Sequence, residues 1–579
     1  MTDLIILIFA FIYPLFHSFF TYDPTEVAKM TLLGIIVPLL LFLSSIRLWR
    51  KRELPIPRNP YLPVLLLLIG AFTVSGLTSA ANIVIPLTTP SSLGSLWLLF
   101  GLFLLLSCLD GRMKRIYLDL TIAGSALISL AVIFIYLGIL PQTVILPSGS
   151  LLTTCLYLTV ISAYLLAKFI TDIKYGKNPL YIMALLLTLS AGITLAYHLN
   201  TDKKALLLPH SQAVWVFSKI AGNPKDLLLG VGPTQFISAF SKFKEASINK
   251  TPLWNITFST SSSFFLNLLT EGGIFSGLLY LWLFFITLKY LRRNLPILFS
   301  LAVIFILQMI FPSNMALLYL MFLLMAFSVS PDSRNNWRLP RFYTFSLTMI
   351  SFVFFLGIGY LSIRNFLAES FYKSSYDSLS EKNGNEVYNM QRSAVILNPH
   401  SDKYHLALSQ TSLALADSFA RIENPSNEEK QKVTKLAQQS IEEAQRAVSA
   451  NKQNSLVWDN LSKIYGALQK FAIGSDNWAI EAARQKIMLD PANPNSYLSL
   501  GTLYFSQEKF AEAENNFREA INLKEDLLSA HFNLALSLKS QGRSQEAKKE
   551  FETTLNQLPA ASPDLPRVRQ ELDSLTPPG

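Results

Sequence analysis

Cysteine is scarce in this sequence. The 579 residues hold two, Cys108 and Cys155, each inside an apolar stretch, with no C-x-x-C spacing and no histidine beside them. Neither a disulfide framework nor a thiolate zinc site is implied, and both thiols read as small hydrophobes. The six histidines (His17, His198, His210, His400, His405 and His531) are dispersed along the chain. No metal-ligand cluster, Ser-His-Asp set or paired acidic motif is found, so no metal and no cofactor are expected, and any catalysis must run on acid/base chemistry and electrostatics. The Gly230-Val231-Gly232 turn is not followed by Gly-Lys-Ser/Thr and opens no strand–helix unit, which argues against nucleotide binding. Charged residues make up 15% of the chain, at +10 net. That positive balance does not point to nucleic acid. It lies in short loops between apolar segments, not on a basic face, and no recognition motif accompanies it.

What is abundant is apolar sequence, 51% of the whole, and it is unevenly spread. From residue 369 onward there are 23 Lys/Arg against 27 Asp/Glu, a net of −4, which leaves +14 on the preceding part. Up to about residue 363 the chain is mostly apolar runs. Eleven stretches approach the roughly 20 residues a spanning helix needs: 4–20, 27–46, 61–80, 93–109, 117–140, 151–170, 180–197, 264–288, 295–311, 315–330 and 343–363. The first has no Lys or Arg ahead of it and no small-x-small cleavage site after it, so it reads as a retained helix, not a signal peptide. Loops 47–58, 110–116, 168–178, 289–294 and 331–342 are basic, while those near 21–26, 81–92, 141–150 and 312–314 contain no Lys or Arg. This alternation predicts a cytoplasmic N-terminus, with the long 198–263 loop and everything after residue 363 on the outer side.

The C-terminal part repeats itself. Tyr497-x2-Leu500-Gly501-x2-Tyr504 leads to Ala513-x3-Phe517 and Ala520, and 34 residues later His531-x2-Leu534-Ala535-x2-Leu538 leads to Ala547-x3-Phe551. A looser unit opens at Trp458-x2-Leu461-Ser462-x2-Tyr465, and another runs from Asn398-Pro399 to about Asn451 with a polar insertion at 418–432. Small residues fall where paired helices approach closely, and Tyr504, Phe517 and Phe551 fill the gaps between them. Each pair leaves an apolar face for the next to bury. The register resembles the tetratricopeptide repeat, with about four units. Such a solenoid predicts a peptide, protein or extended ligand as partner and does not by itself predict a reaction.

The outer loop carries the candidate chemistry. Pro209-His210-Ser211-x3-Trp215 opens an expected amphipathic helix, 211–221, with Ala213, Val214, Phe217 and Ile220 on one side, suited to lying along a membrane surface. His210 is either a base or acceptor contact, or a polar residue at the helix start. Gly230 and Gly232 make a tight turn whose amides can form an anion nest, or can simply turn the chain. Lys225, Lys242, Lys244 and Lys250 are cations suited to a diphosphate at the bilayer surface, or to snorkelling toward headgroups, the reading that fits Lys203 and Lys204 best. Glu271, beside Gly272-Gly273 at the edge of an apolar helix, is either functional or paired with a loop lysine. The Ser259–Ser263 run of hydroxyls can bind sugar hydroxyls or cap that helix.

The order of these features resembles the O-antigen ligase and polymerase superfamily, in a form with fused tetratricopeptide repeats. The features are many apolar helices, Trp215 in an amphipathic segment, Leu229-Gly230-Val231-Gly232-Pro233-x-x-Phe236, a long outer loop, and Leu266-x-Leu268-Leu269-x-Glu271-x-Gly273-x3-Gly277. The likeness is best over 205–290. It implies a GT-C-like, metal-independent glycosyltransferase of the bacterial cytoplasmic membrane that moves a glycan from an undecaprenyl-diphosphate carrier to a glycan, lipid or protein acceptor on the outer side. Ser262 and Ser263 stand where the family carries His-Asn, and lysines stand in for its loop arginines. Lysine keeps the charge and loses the bidentate fork.

The expected protein is all-α. A polytopic membrane bundle of about eleven helices (1–363), in contact with membrane lipid, precedes a tetratricopeptide solenoid (364–579) that docks a protein partner. The leading expectation is a glycan ligase. In it, Glu271 and His210 handle the proton, while Lys225, Lys242, Lys244, Gly230, Gly232, Ser262, Ser263 and Trp215 bind substrate. A glycan polymerase or a protein O-oligosaccharyltransferase is the alternative within the same chemistry. A non-catalytic membrane scaffold working through its repeats is the alternative outside it.

Overall fold

The structure, a computed structural model, describes residues 2–79, 82–141, 143–171, 178–201, 205–290, 294–328, 334–380, 383–469, 474–559 and 561–575. Lys203, Lys204, and residues 172–177, 291–293 and 331–333 of the basic loops 168–178, 289–294 and 331–342 lie outside these residues. The chain divides into two compact units. The first comprises Met1–Phe236, Thr260–Glu381 and Ser393–Pro399; the second comprises Ile237–Ser259, Lys382–Arg392 and His400–Gly579.

The first unit is a bundle of apolar helices. Seven are long and apolar enough to cross a membrane: Glu26–Lys51, Tyr61–Thr78, Gly111–Tyr136, Leu151–Thr171, Pro179–Thr201, Phe264–Tyr290 and Arg341–Ser380. The other four expected stretches form shorter apolar helices, Thr2–Leu15, Leu93–Ser107, Leu295–Ile310 and Met315–Phe327. The expectation of eleven full spans thus meets seven helices of spanning length among the described residues. Met315–Phe327 is the most enclosed of these shorter helices. All of its 13 residues are buried, enclosed in part by Leu93–Ser107, Leu295–Ile310, Glu26–Lys51 and Leu151–Thr171. A helix that is apolar all round belongs in a core whether the surroundings are lipid or protein. Its start is held by the Asn314 side chain, which accepts from the Leu317 amide at 3.0 Å, and by Glu26, which accepts from the Met315 amide at 3.1 Å. The Tyr117 and Tyr319 hydroxyls pair inside the bundle at 2.9 Å, so this buried polar pair is satisfied.

The all-α expectation needs one amendment. Glu53–Pro57 pairs antiparallel with Arg334–Arg338, Glu53 opposite Arg338 and Pro57 opposite Arg334, so two loops read as basic connections form a ribbon. A two-stranded ribbon has an open edge on each side, which tolerates Pro55 and Pro57, two residues apart. The helix Arg341–Ser380 runs for 40 residues through the expected domain boundary at 363/364.

The second unit contains four helix pairs at the expected repeats: Asp402–Ala420 with Asn427–Ala450, Ser455–Ala467 with Ser475–Leu489, Pro494–Ser506 with Phe510–Leu523, and Leu528–Ser540 with Ser544–Gln557. Leu565–Asp573 packs on the last of them. The polar insertion at 418–432 is absorbed by lengthened helices of 19 and 24 residues. The second of these starts with a capping box between Ser426 and Glu429. Ala513, Phe517, Ala520, Ala535, Ala547 and Phe551 are fully buried. A Cβ on Gly501 would stand 2.6 Å from the Phe517 ring, so the small residue is what lets the paired helices approach. The segment 237–259, expected to act with the membrane part, belongs to this unit.

Candidate functional site

The site in the first unit is built on a broken helix. Phe264–Tyr290 is interrupted at Gly273 (φ 71°, ψ −179°), and the Gly230–Gly232 turn seats against the break. The Val231 amide donates to the Thr270 carbonyl and the Gly232 amide to the Glu271 carbonyl, each at 3.0 Å. The Ser75 hydroxyl donates to the same Glu271 carbonyl at 2.6 Å. A Cβ on Gly230 would lie 2.3 Å from the Glu271 carbonyl carbon and one on Gly273 2.2 Å from the Leu228 oxygen, and both residues have positive φ. Glycine is required twice over, by conformation and by contact. The anion nest expected here is corrected. The Gly230 amide donates to the Asp226 carbonyl at 2.8 Å, so all three amides of the turn are spent on carbonyls, and Gly230 and Gly232 serve as a backbone joint.

Glu271 is 5% exposed. Its carboxyl accepts from the Phe236 amide at 3.3 Å, and the Thr234 amide and the Asn267 side chain also hydrogen-bond to it. Asn267 in turn accepts from the Ser261 amide at 3.1 Å. Glu271 therefore ties both chain segments of the joint together. Its partners are backbone and amide groups, not the loop lysine that the sequence suggested. Two buried hydroxyls beside this network, those of Thr234 and Ser261, have no hydrogen-bond partner among the described residues, and Thr234 holds a φ of 65°, unusual for a β-branched residue.

His210 is the first residue of the helix His210–Ile220, and its Nδ1 lies 2.8 Å from the Ser262 hydroxyl. The fold thus places a histidine from another segment against one of the hydroxyls of the Ser259–Ser263 run. Ser262 is buried, while His210 is exposed. Ser263 is fully buried, and its hydroxyl accepts from the Leu266 amide at 3.2 Å, a local helix-start contact. The buried face of this helix is Gln212, Ala213, Val216 and Ile220. This corrects the expected apolar side, because Val214 faces out, 52% exposed. Trp215 is also on the exposed side, with the Lys219 ammonium 4.3 Å from its ring centroid.

The expected lysines are divided between the two units. The Lys225 ammonium donates to the Thr78 carbonyl at 2.9 Å in the first unit. Lys242 is exposed, 5.3 Å from the centroid of its neighbour Phe243. Lys244, expected to hold a diphosphate, is buried in the second unit and forms an ion pair with Asp490 at 2.9 Å. The segment around it is fastened to the repeats at further points. Asn249 donates to the Ala492 carbonyl at 2.9 Å and the Leu523 carbonyl at 3.2 Å, and Lys524 lies 5.0 Å from the Trp254 ring centroid. Trp254 packs with Tyr497 against the cluster of Ala520, Leu527 and Ala530. Sequence reasoning missed this attachment. The signal within reach was an aromatic and asparagine-rich stretch, Ile248–Ile256, inside a loop assigned to lipid chemistry.

Comparison with known proteins reaches the repeats. A family model described as TPR repeat matches residues 501–542. No curated protein matches the chain. Similar solved structures include a thermophilic TPR protein of Thermus thermophilus, 18% identical over 36% of this chain and 98% of that one, at a TM-score of 0.27. PilF of Pseudomonas aeruginosa is 15% identical over 37% and 90%, with a TM-score of 0.27, and MamA of Desulfovibrio magneticus is 13% identical over 33% and 94%, also at 0.27.

Proposed function

We propose that this chain is a membrane-embedded binding protein: a bundle of apolar helices carries a tetratricopeptide solenoid that holds a protein partner. The repeat match at 501–542, set in helix pairs with buried Ala513, Phe517 and Ala535, carries this reading. Stacked pairs offer a long surface whose shape is fixed by the packing beneath it, so side chains on that surface can vary for binding without loss of fold. Trp478 and Met488 on the helix Ser475–Leu489 are large apolar groups left 62% and 65% exposed. A photo-crosslinking side chain placed at these positions in cells is expected to trap one defined protein. A ladder of unrelated products, or none from any exposed position on the repeats, overturns the reading.

A second reading adds chemistry, and the His210–Ser262 contact favours it. On this reading the first unit is a metal-independent glycan ligase of the bacterial cytoplasmic membrane. An acceptor hydroxyl attacks the anomeric carbon of a glycan on an undecaprenyl-diphosphate carrier, its proton passes to His210, and the carbon–oxygen bond to the diphosphate breaks. Glu271 holds the joint on which Ser262 and the Gly230 turn are mounted, which makes it a positioning residue. The acceptor is a glycan, a lipid or a protein, and a polymerase or a protein O-oligosaccharyltransferase differs from the ligase in that choice alone. Proteoliposomes supplied with lipid-linked glycan decide the matter. His210→Ala is expected to reduce transfer by about 100-fold or more, the usual scale of a lost acid/base group. Transfer that is equal in wild type and variant removes His210 from the mechanism. Wild-type protein that transfers nothing leaves the binding reading standing alone.

A further inference from the structure

Residues 237–259 belong to the second unit, although the first repeat helix begins only at Asp402. They lie across two successive connections of the repeats. Asp490 directly follows the helix Ser475–Leu489, and Lys524 directly follows Phe510–Leu523 in the next pair. Three side chains at five-residue steps anchor the segment there. Lys244 pairs with Asp490, each side chain 5% exposed. The Asn249 amide group spans both connections, donating to the Ala492 and Leu523 carbonyls. Trp254 rests on Ala520, Leu527 and Ala530. From the side of the repeats, the Lys524 ammonium donates to the Asn249 carbonyl and the Asn495 side chain to that of Asn255, both at 3.3 Å.

These contacts select by chemistry. The last carbonyls of a helix have no partner within it, and here the Leu523 carbonyl and the Ala492 carbonyl of the preceding connection share one primary amide. A carboxamide nitrogen carries two N–H donors and bridges two carbonyls; a hydroxyl has one donor and a carboxylate none. Asp490 takes a cation, and the alanine-lined floor beside Leu527 takes a large aromatic. The segment is nevertheless only partly enclosed. Thr251, Pro252, Asn255 and Thr257 are exposed, and Trp254 is half-buried. Beyond Phe243 it consists of one 3₁₀ turn, Ala246–Lys250, and irregular chain. Side-chain anchors on an irregular segment, seated on stacked helix pairs, are the mode in which a solenoid holds an extended ligand, with most of the affinity in a few anchors.

We propose that residues 244–256 are a strap bound in cis on the surface by which the repeats take their partner, and that the partner is a protein segment of the same chemistry, a basic residue, an asparagine and an aromatic in that order, which displaces the strap. This rests on the binding reading and places the partner on the connections at Asp490 and Lys524. The test uses the full chain in detergent and a fluorescent peptide copying residues 243–257, with binding read by anisotropy. Asn249→Ser/Trp254→Ser loosens the strap, keeps the Lys244–Asp490 pair and leaves every repeat residue in place. The peptide is expected to bind this variant about tenfold or more tightly than the native chain, the scale of one lost anchor. A peptide carrying Asn249→Asp is expected to lose that gain. A photo-reactive aromatic at the Trp254 position of the peptide is expected to label the chain between Ala520 and Ala530. Equal affinity for native and loosened chains, equal affinity of the two peptides, labelling elsewhere or no binding overturns the proposal. If the variant does not fold, the unmutated chain decides. Excess peptide is then expected to raise hydrogen exchange over Ile248–Trp254, and unchanged exchange makes the strap a permanent part of the fold and overturns displacement. None of these failures touches cross-linking of a cellular protein to Trp478 or Met488 positions, so loss of the strap proposal is distinguishable from loss of the binding reading.

Discussion

Gly230 and Gly273 are the residues on which the site's geometry turns. Each has positive φ, and each leaves room for the other segment's backbone where a methyl group would collide with it. Gly230→Ala and Gly273→Ala are expected to destabilise the first unit by about 2 kcal/mol or more, the scale of backbone strain added to overpacking. Thermal unfolding in detergent measures this, and an unchanged midpoint would show that the joint relaxes freely. Lys244 and Asp490 test a different rule. Removing one member of a buried ion pair leaves the other uncompensated, at a cost of about 3–5 kcal/mol, whereas replacing both by apolar groups is often close to neutral. Hydrogen exchange over Asp490–Ser506 is expected to rise sharply in Lys244→Met and to recover in Lys244→Met/Asp490→Leu. His531 carries the pH dependence. Its hydrogen bond to Glu550, 2.6 Å away, raises its pKa against the opposing effect of partial burial, with the Glu525 carbonyl assisting. A raised folded-state value means that this contribution is complete below the ordinary histidine pKa of about 6.5 and is lost as pH climbs through the folded value. Protection of the amides in Leu528–Gln557 is expected to fall across that window in the native chain and to stay flat in Glu550→Gln. Asp459 behaves in the opposite sense. Burial would raise its carboxyl, but Lys486 and Lys463 outweigh that and hold it below the ordinary range, so its contribution is lost toward acid pH.

At the scale of elements, helix pairing in the repeats was legible because its spacing is local. Gly501, Ala513 and Phe517 sit within one pair, and the contact between the Phe517 ring and the Gly501 backbone follows from their register. Phe517→Ala is expected to cost about 3–5 kcal/mol, the usual range for an aromatic removed from a core. Because neighbouring pairs bury each other's faces, proteolysis should reach Leu528–Ser540 as well as its own pair. Cleavage confined to Phe510–Leu523 would contradict that coupling. Helix length was less legible. Leu93–Ser107 and Met315–Phe327 are as apolar as any span, but at 15 and 13 described residues they are shorter than the roughly 20 of a usual spanning helix. The ribbon of Glu53–Pro57 and Arg334–Arg338 could not be read at all, since its two strands are far apart in sequence and neither shows alternation.

At the scale of the whole molecule, the described residues include seven helices long and apolar enough to cross a membrane and, in the same chain, a charged repeat unit. Exposed Leu, Phe, Ile, Val and Trp side chains are frequent on the helices of the first unit, Phe342, Ile350 and Val353 among them at 74%, 64% and 67%. Water-facing apolar surface on that scale is unfavourable, and a lipid environment removes the penalty. The chain is accordingly expected to stay with the membrane pellet after alkaline carbonate extraction. Release into the supernatant would exclude integral insertion and, with it, both functional readings as stated.

By itself the sequence determined the properties that depend on composition and short-range period. These are which stretches are apolar helices, where the helix pairs of the repeats begin and end, and that Gly230, Gly232 and Glu271 belong to unusual backbone. Tertiary structure alone decided what those residues meet. It seated the Gly230 turn in the break at Gly273, which consumed the amides expected to bind an anion. It brought His210 to Ser262 across 52 positions. It buried Lys244 against Asp490, 246 positions away, and so removed it from the group of free cations. A charge or an amide looks available in sequence whenever no neighbour within a few residues claims it. Partners this distant are chosen by packing, and no local pattern records that choice.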